Sequence, residues 1–121
     1  MLLIDAANVI GSRPTGWWKD RPGAANEFVD RVRSATRDGR LSDSIVVVLE
    51  GAARRGIEEG VADGVTVLHA PVDGDEMLVR LAADAGGQLV LVSADRALRR
   101  RVEELGGEVV GPQWLLERLE E

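Results

Sequence analysis

The stretch M-L-L-I-D-A-A-N-V-I-G, Met1 to Gly11, decides how the rest of the chain is read. Leu2, Leu3 and Ile4 form a short apolar run without polar alternation, the pattern of a central parallel strand buried on both faces. Asp5 stands where such a strand emerges, and Asn8 follows three residues on. Gly11, Pro14 and Gly16 then indicate a loop rather than an immediate helix. In open α/β sheets ligands bind outside the carboxyl ends of the strands, which makes Asp5 a candidate for chemistry. The competing expectation is structural: Asp5 caps a turn and Asn8 bonds its own backbone.

Outward from that stretch the pattern repeats. Ile45 to Leu49 is a second aliphatic strand ending on Glu50, and Val65 to Leu68 is a third, closed by His69 and Pro71. Leu89 to Val92 is a fourth, running into Ser93, Ala94, Asp95 and Arg96, and Val109-Val110 is a short fifth. Helical spacing lies between them. Ala25, Phe28, Val29, Val32 and Ala35 give an amphipathic helix within residues 23–37, and residues 54–61 suggest a short one. Met77, Leu78, Leu81, Ala82 and Ala85 give another, ended by Gly86-Gly87. Leu98, Val102 and Leu105 follow Asp95, and Pro112 opens a last helix with Trp114, Leu115, Leu116 and Leu119. Strand and helix alternate five times with no repeat or linker, so residues 1–121 are expected to form one doubly wound α/β domain with a mainly parallel five-stranded sheet flanked by helices.

Composition narrows the chemistry. The 121 residues include no cysteine and a single histidine, His69, so thiol chemistry and sites built on several imidazoles are excluded. His69, at a strand end, is expected to be a hydrogen-bonded structural group. Any metal would be held mainly by oxygen. The net charge of −6 argues against indiscriminate coating of nucleic acid but not against one local site. No apolar run approaches the roughly 20 residues of a membrane span, and the first residues are neither basic nor followed by a small-residue cleavage site, so no targeting segment is expected; the expected location is the cytoplasm, with no membrane partner.

Parallel strands bring Asp5, Glu50, Asp73 or Asp75, and Asp95 to one edge of the sheet. Converging acids repel unless a cation sits between them, and an all-oxygen donor set suits Mg²⁺ first and Mn²⁺ next. Carboxylates around such an ion serve phosphoryl chemistry, which points to a phosphodiesterase. Acids in the first helical turn at Asp73, Asp75 and Glu76 also have an ordinary capping explanation.

Leu3 to Ile10, Gly74 to Leu78 and Val90 to Arg96 resemble the three acidic motifs of the PIN-like nucleases, in particular the NYN branch that includes the YacP-type proteins. The resemblance covers nearly the whole chain and extends to Gly106–Val110. It implies a three-layer PIN-like, Rossmann-like fold and metal-dependent hydrolysis of RNA, single-stranded or structured. Asp5, Asn8, Asp75 and Asp95 fall at the active-site positions, with Asp5, Asp75 and Asp95 as metal ligands and Asp5 facing Asp95 across the sheet's switch point. Two features depart from the pattern: Ala6 stands where Gly usually follows the Asp, and the separate helical Glu of the PIN toxins has no match. Glu50, Asp73 or Glu76 are the candidates for that charge.

For substrate, Arg13, Lys19, Arg21, Arg54, Arg55 and Arg96 lie in or near the loops of the acidic edge, and Ser93 accompanies them. Trp17 and Trp18 sit among these cations; packing on the domain is the first expectation for them and base stacking the second. Two other functions compete. A domain of this type with a degenerate site would bind RNA or a partner protein without metal. A nucleotide pyrophosphohydrolase is suggested by the stretch Arg101 to Gly106, which is like the tail of a Nudix box, but Glu103 and Glu104 are expected on a solvated helix face. Toprim and haloacid-dehalogenase sites fail, because the first leaves Asp5 unexplained and the second needs an acid where Ala7 stands.

Overall fold

The computed structural model describes residues 1–120. Six strands form one sheet: β1 (Leu2–Asp5), β2 (Ile45–Leu49), β3 (Gly60–Ala62), β4 (Val65–His69), β5 (Val90–Val92) and β6 (Glu108–Val110). Their order is β3-β4-β2-β1-β5-β6, with every pairing parallel except β3 with β4. The helices are α1 (Ala6–Gly11), α2 (Arg21–Arg37), α3 (Gly74–Asp84), α4 (Arg96–Glu104) and α5 (Pro112–Leu119), with 3-10 turns at Trp17–Lys19 and Gly51–Gly56.

The central strand is buried along its whole length because alternate residues serve different cores. Leu2 and Ile4 join Val9, Phe28, Val29, Val32, Val47 and Leu115 in the layer of α1, α2 and α5. Leu3 joins Val48, Leu78, Leu91, Leu98 and Val102 in the layer of α3 and α4. The result is a helix–sheet–helix sandwich, and β1 lies at its middle with β2 on one side and β5 on the other. Chain direction reverses its progress across the sheet between β1 and β5, so the switch point falls at the carboxyl end of Asp5's strand.

Two expectations are corrected. A helix does follow β1 at once: Asp5 caps α1, which runs to Gly11, and the loop begins only at Ser12. The sheet also has six strands rather than five, since residues 60–62 form an antiparallel edge strand where a short helix was expected. The cause is the Asp63-Gly64 turn. Both residues have positive φ, 54° and 77°, so they close a two-residue hairpin that turns β3 back onto β4.

The chain leaving β2 is held down by a close approach. A Cβ at Gly56 would lie 2.0 Å from the Pro22 carbonyl oxygen, and Asn26 Nδ2 donates to the Gly56 carbonyl at 2.9 Å. Neither backbone can yield, so Gly56→Ala should force the 51–56 turn off the start of α2. The expected loss is about 1–3 kcal/mol, read from the urea midpoint. An unchanged midpoint would show that the turn is not anchored there.

Candidate active site

Asp5 is the one buried carboxylate of the described core, 6% exposed. Its Oδ2 accepts from Ser93 Oγ at 2.9 Å, and its Oδ1 accepts from the Asn8 N–H at 3.4 Å. Ser93, fully buried after β5, also accepts the Asp95 N–H at 3.1 Å. Asn8 Oδ1 accepts the Ala94 N–H at 2.8 Å, which fixes the amide orientation and leaves its NH₂ pointing away from that bond. Two of these bonds, from Ser93 Oγ to Asp5 and from the Ala94 N–H to Asn8, therefore stitch the junction of β1 and α1 to the end of β5. Asp5 and Asp95 meet through Ser93.

Asp75, in the first turn of α3, is the electrostatic centre of the group. Desolvation raises its pKa, and the charges of Asp95, Glu50 and Asp73 raise it further. Desolvation is also the main reason that Asp5 is pushed from its ordinary 3.8 to about 6; Asp75 and Glu50 add to it, against the lowering bonds from Ser93 and Asn8. Asp5 thus lies within electrostatic reach of Asp75 and Glu50, and Asp75 within reach of Asp95 and Glu50.

The other acids have separate duties. Asp73 is an exposed cap of α3, accepting from the Glu76 N–H at 3.0 Å, and Glu76 is paired with Arg101 at 3.0 Å. Glu50 is half-buried, with Oε2 accepting the Gly74 N–H at 2.8 Å, and it is the one of the three candidates that couples to both Asp5 and Asp75. Asp95 is itself the cap of α4, accepting from the Leu98 N–H at 3.0 Å. Glu103 and Glu104 are exposed at the far end of α4, as a solvated face requires.

The donor set is all oxygen and anionic, the kind a hard divalent cation takes. Among the described residues no three His, Asp or Glu side chains are grouped closely enough to hold a metal ion. A closed protein cage is therefore not built here. Mg²⁺ commonly needs none, since it keeps several waters and uses one or two carboxylates with substrate phosphates.

The basic residues divide. Lys19, Arg21, Arg55 and Arg96 are exposed and without ion pairs among the described residues. Arg54 is tied to backbone carbonyls of Gly51 and Ala70, at 3.0 and 3.2 Å. Arg13 reaches Gln113 and Glu120 and lines a cavity of about 450 Å³ between α1, α2 and α5 with Phe28 and Leu116. Ser93, expected among the substrate contacts, is buried and serves the acids instead. Its spacing, two residues before an acid at a strand-to-helix junction, was the available signal for that role. His69 bonds the Ile57 carbonyl at 2.8 Å through Nε2, a structural use. Trp18 is 53% exposed, whereas Trp17 is half-buried, so the pair does split between surface and cleft.

No family model matches the sequence, and no curated protein does. Among solved structures the fold matches that of Rae1 (YacP) from Bacillus subtilis, crystallised as a mutant, with a TM-score of 0.70 over 98% of this chain and 73% of that one. Identity is 19%, so the likeness is one of fold. Among the described residues no helix is long and apolar enough to cross a membrane.

Asp5 makes stability depend on pH in a definite direction. Its folded pKa lies above the unfolded value of 3.8, so between that value and about 6 the folded chain holds a proton that the unfolded chain has released. Stability from this group is complete below the window and is lost as pH rises through it, by up to about 3 kcal/mol. In EDTA, wild type should therefore lose stability relative to Asp5→Asn between pH 4 and 6.5, by urea unfolding. Ser93→Ala removes a bond that favours the charged form and should carry the loss to higher pH. A constant difference between wild type and Asp5→Asn would show that Asp5 keeps an ordinary pKa.

Proposed function

We propose that this chain is a Mg²⁺- or Mn²⁺-dependent ribonuclease, hydrolysing RNA phosphodiester bonds at the carboxyl edge of its sheet. The observation that carries this is Asp5, held buried at the switch point at an energetic cost, with Asp75 and Glu50 adding like charge to it and Asp95 adding like charge to Asp75. Capping α1 does not require a carboxylate this deeply buried among like charges, and perturbed acids of this kind concentrate at functional sites. The likeness in fold to a YacP protein agrees with the acidic motifs, which resemble the NYN branch.

One or two of Asp5, Asp75 and Asp95 at a time would hold the ion, with waters and substrate phosphate completing its shell and Glu50 beside them. When bound, the cation supplies a water of lowered pKa and offsets charge on the departing oxygen. Asn8, its carbonyl committed to Ala94, has its amide donors available for a phosphate oxygen. Lys19, Arg21, Arg55 and Arg96 supply unpaired cations for neighbouring phosphates. Ser93 is a positioning residue, holding Asp5 and the start of α4 in one register.

A second function has one specific observation in its favour. Asp5 and Asp95 already serve as helix caps, so that among the described residues no three groups are left spaced for a metal, as in a domain that binds RNA or protein without cutting.

Incubating the protein with single-stranded and structured RNA separates the two. Cleavage should require Mn²⁺ or Mg²⁺ and stop in EDTA. Asp95→Asn keeps a good cap, so the fold survives while a ligand charge is removed. Asp5→Asn or Asp95→Asn should lower cleavage by roughly 100-fold or more, at least the effect of losing an outer-shell partner. Glu103→Gln should leave the rate unchanged. RNA that binds without metal-dependent cutting would establish the binding module, and pyrophosphate release dependent on Glu103 would establish a pyrophosphohydrolase.

A further inference from the structure

A cleft of about 290 Å³ opens beside the acidic edge, between the start of α1, the end of β2 and the Trp17–Lys19 turn. Its walls are mostly apolar: Ala6, Leu49 and Val72 line it, with Trp17 as the aromatic member. The polar members are Arg21 and Glu50. Ala6 directly follows Asp5, so whatever enters lies next to the carboxylates. The volume falls just below the range that holds drug-sized ligands and suits one flat heterocycle.

Trp17 is held as a platform. Its ring lies 3.4 Å from where a Cβ at Gly11 would begin, and Trp18 meets it edge-on at 6.2 Å between centroids. Arg21 stands over the ring at 5.4 Å, whereas Arg118 stacks on Trp114 at 3.9 Å. The first contact is loose, and Arg21 has no ion pair among the described residues, so its guanidinium is free to leave the ring for a phosphate. Val72, 80% exposed at the mouth, is an apolar side chain that the fold itself leaves uncovered.

Glu50 sets what the cleft can read. Its Oε2 takes the Gly74 N–H and keeps a second lone pair, while Oε1 has no hydrogen-bond partner among the described residues, so the carboxylate can accept two adjacent donors. An ionised carboxylate only accepts, so the complementary base edge must donate. The guanine Watson–Crick edge offers adjacent N1–H and N2–H donors; adenine and cytosine offer one amino group beside an acceptor, and uracil one N–H between two acceptors. Unpaired bases are commonly recognised by stacking on an aromatic ring with hydrogen bonds to that edge.

We infer that this cleft binds a single unstacked guanine base, stacked on Trp17 and read by Glu50, next to the phosphodiester at the acids. The inference deepens the ribonuclease proposal and rests on it for the adjoining phosphate, but the base pocket itself does not require catalysis or metal.

Neutral ribonucleosides test it in EDTA, because they carry no phosphate to be repelled by the acids. The three tryptophans give three indole N–H signals, and Trp17→Phe identifies the one from Trp17. Guanosine should shift that signal and bind roughly tenfold tighter than uridine. Trp17→Ala should weaken guanosine by about tenfold or more. Trp17→Phe, which keeps an aromatic face, should be intermediate, separating lost stacking from lost fold. Glu50→Gln should bring guanosine close to the other nucleosides. Absence of a response at Trp17, or an equal response to all four nucleosides, overturns the inference. Metal-dependent RNA cleavage without a guanosine response would overturn the pocket and leave the nuclease standing. A guanosine response without cleavage would do the reverse.

Discussion

A carboxylate buried at the end of the central strand is the constraint on which the rest of this structure depends. Asp5 is desolvated, yet it is kept in place by the Ser93 hydroxyl and the Asn8 N–H rather than by a cation of the protein. Holding it requires β1 and β5 to be adjacent, since Ser93 follows β5, and that adjacency is what puts Asp95 and the start of α4 beside α1. The neighbours on the other side, Glu50 after β2 and Asp75 in α3, add like charge where a fold built for stability alone would avoid it.

Capping and function are usually weighed as alternatives for an acid at a helix start. Here the same side chains do both. Asp5 and Asp95 each accept from a backbone N–H three residues on, which orients the carboxylate and leaves it further lone pairs. Asp73 makes the same kind of bond, to the Glu76 N–H, but it is exposed and reaches the group only through its charge on Asp75. Asp75, with no capping bond, sits where the charges of Asp95, Glu50 and Asp73 converge.

Much of this was legible in the chain because β1, β2 and β5 are unbroken aliphatic runs that meet a polar residue at their carboxyl ends. Ile45–Leu49 was identified to the residue, and the adjacency of β1 and β5 followed from the family resemblance. Two local features were missed for identifiable reasons. Ala-rich residues 6–11 have no apolar period long enough to declare a helix, and α1 exists because Asp5 caps it and Val9 packs into the core. The β3 strand is exposed at every residue and so lacks a hydrophobic pattern, but Asp63-Gly64 was an adequate hairpin signal. Side-chain duties were harder to read. The diversion of Arg13 and Arg54 to other partners is not encoded in spacing, since it depends on where distant elements pack.

The central claim is that these acids form a cation site, and the thermal midpoint in EDTA against excess Mn²⁺ tests it without knowledge of the substrate. A ligand that binds only the native state at 100 times its Kd adds about 2.7 kcal/mol, a shift of several degrees for a domain of this size. Wild type should gain this and Asp95→Asn much less, while in EDTA the mutant should melt at or above wild type because repulsion around Asp75 is relieved. A wild type indifferent to Mn²⁺ and Mg²⁺, with a mutant that melts lower, would contradict the account and leave Asp95 as a helix cap.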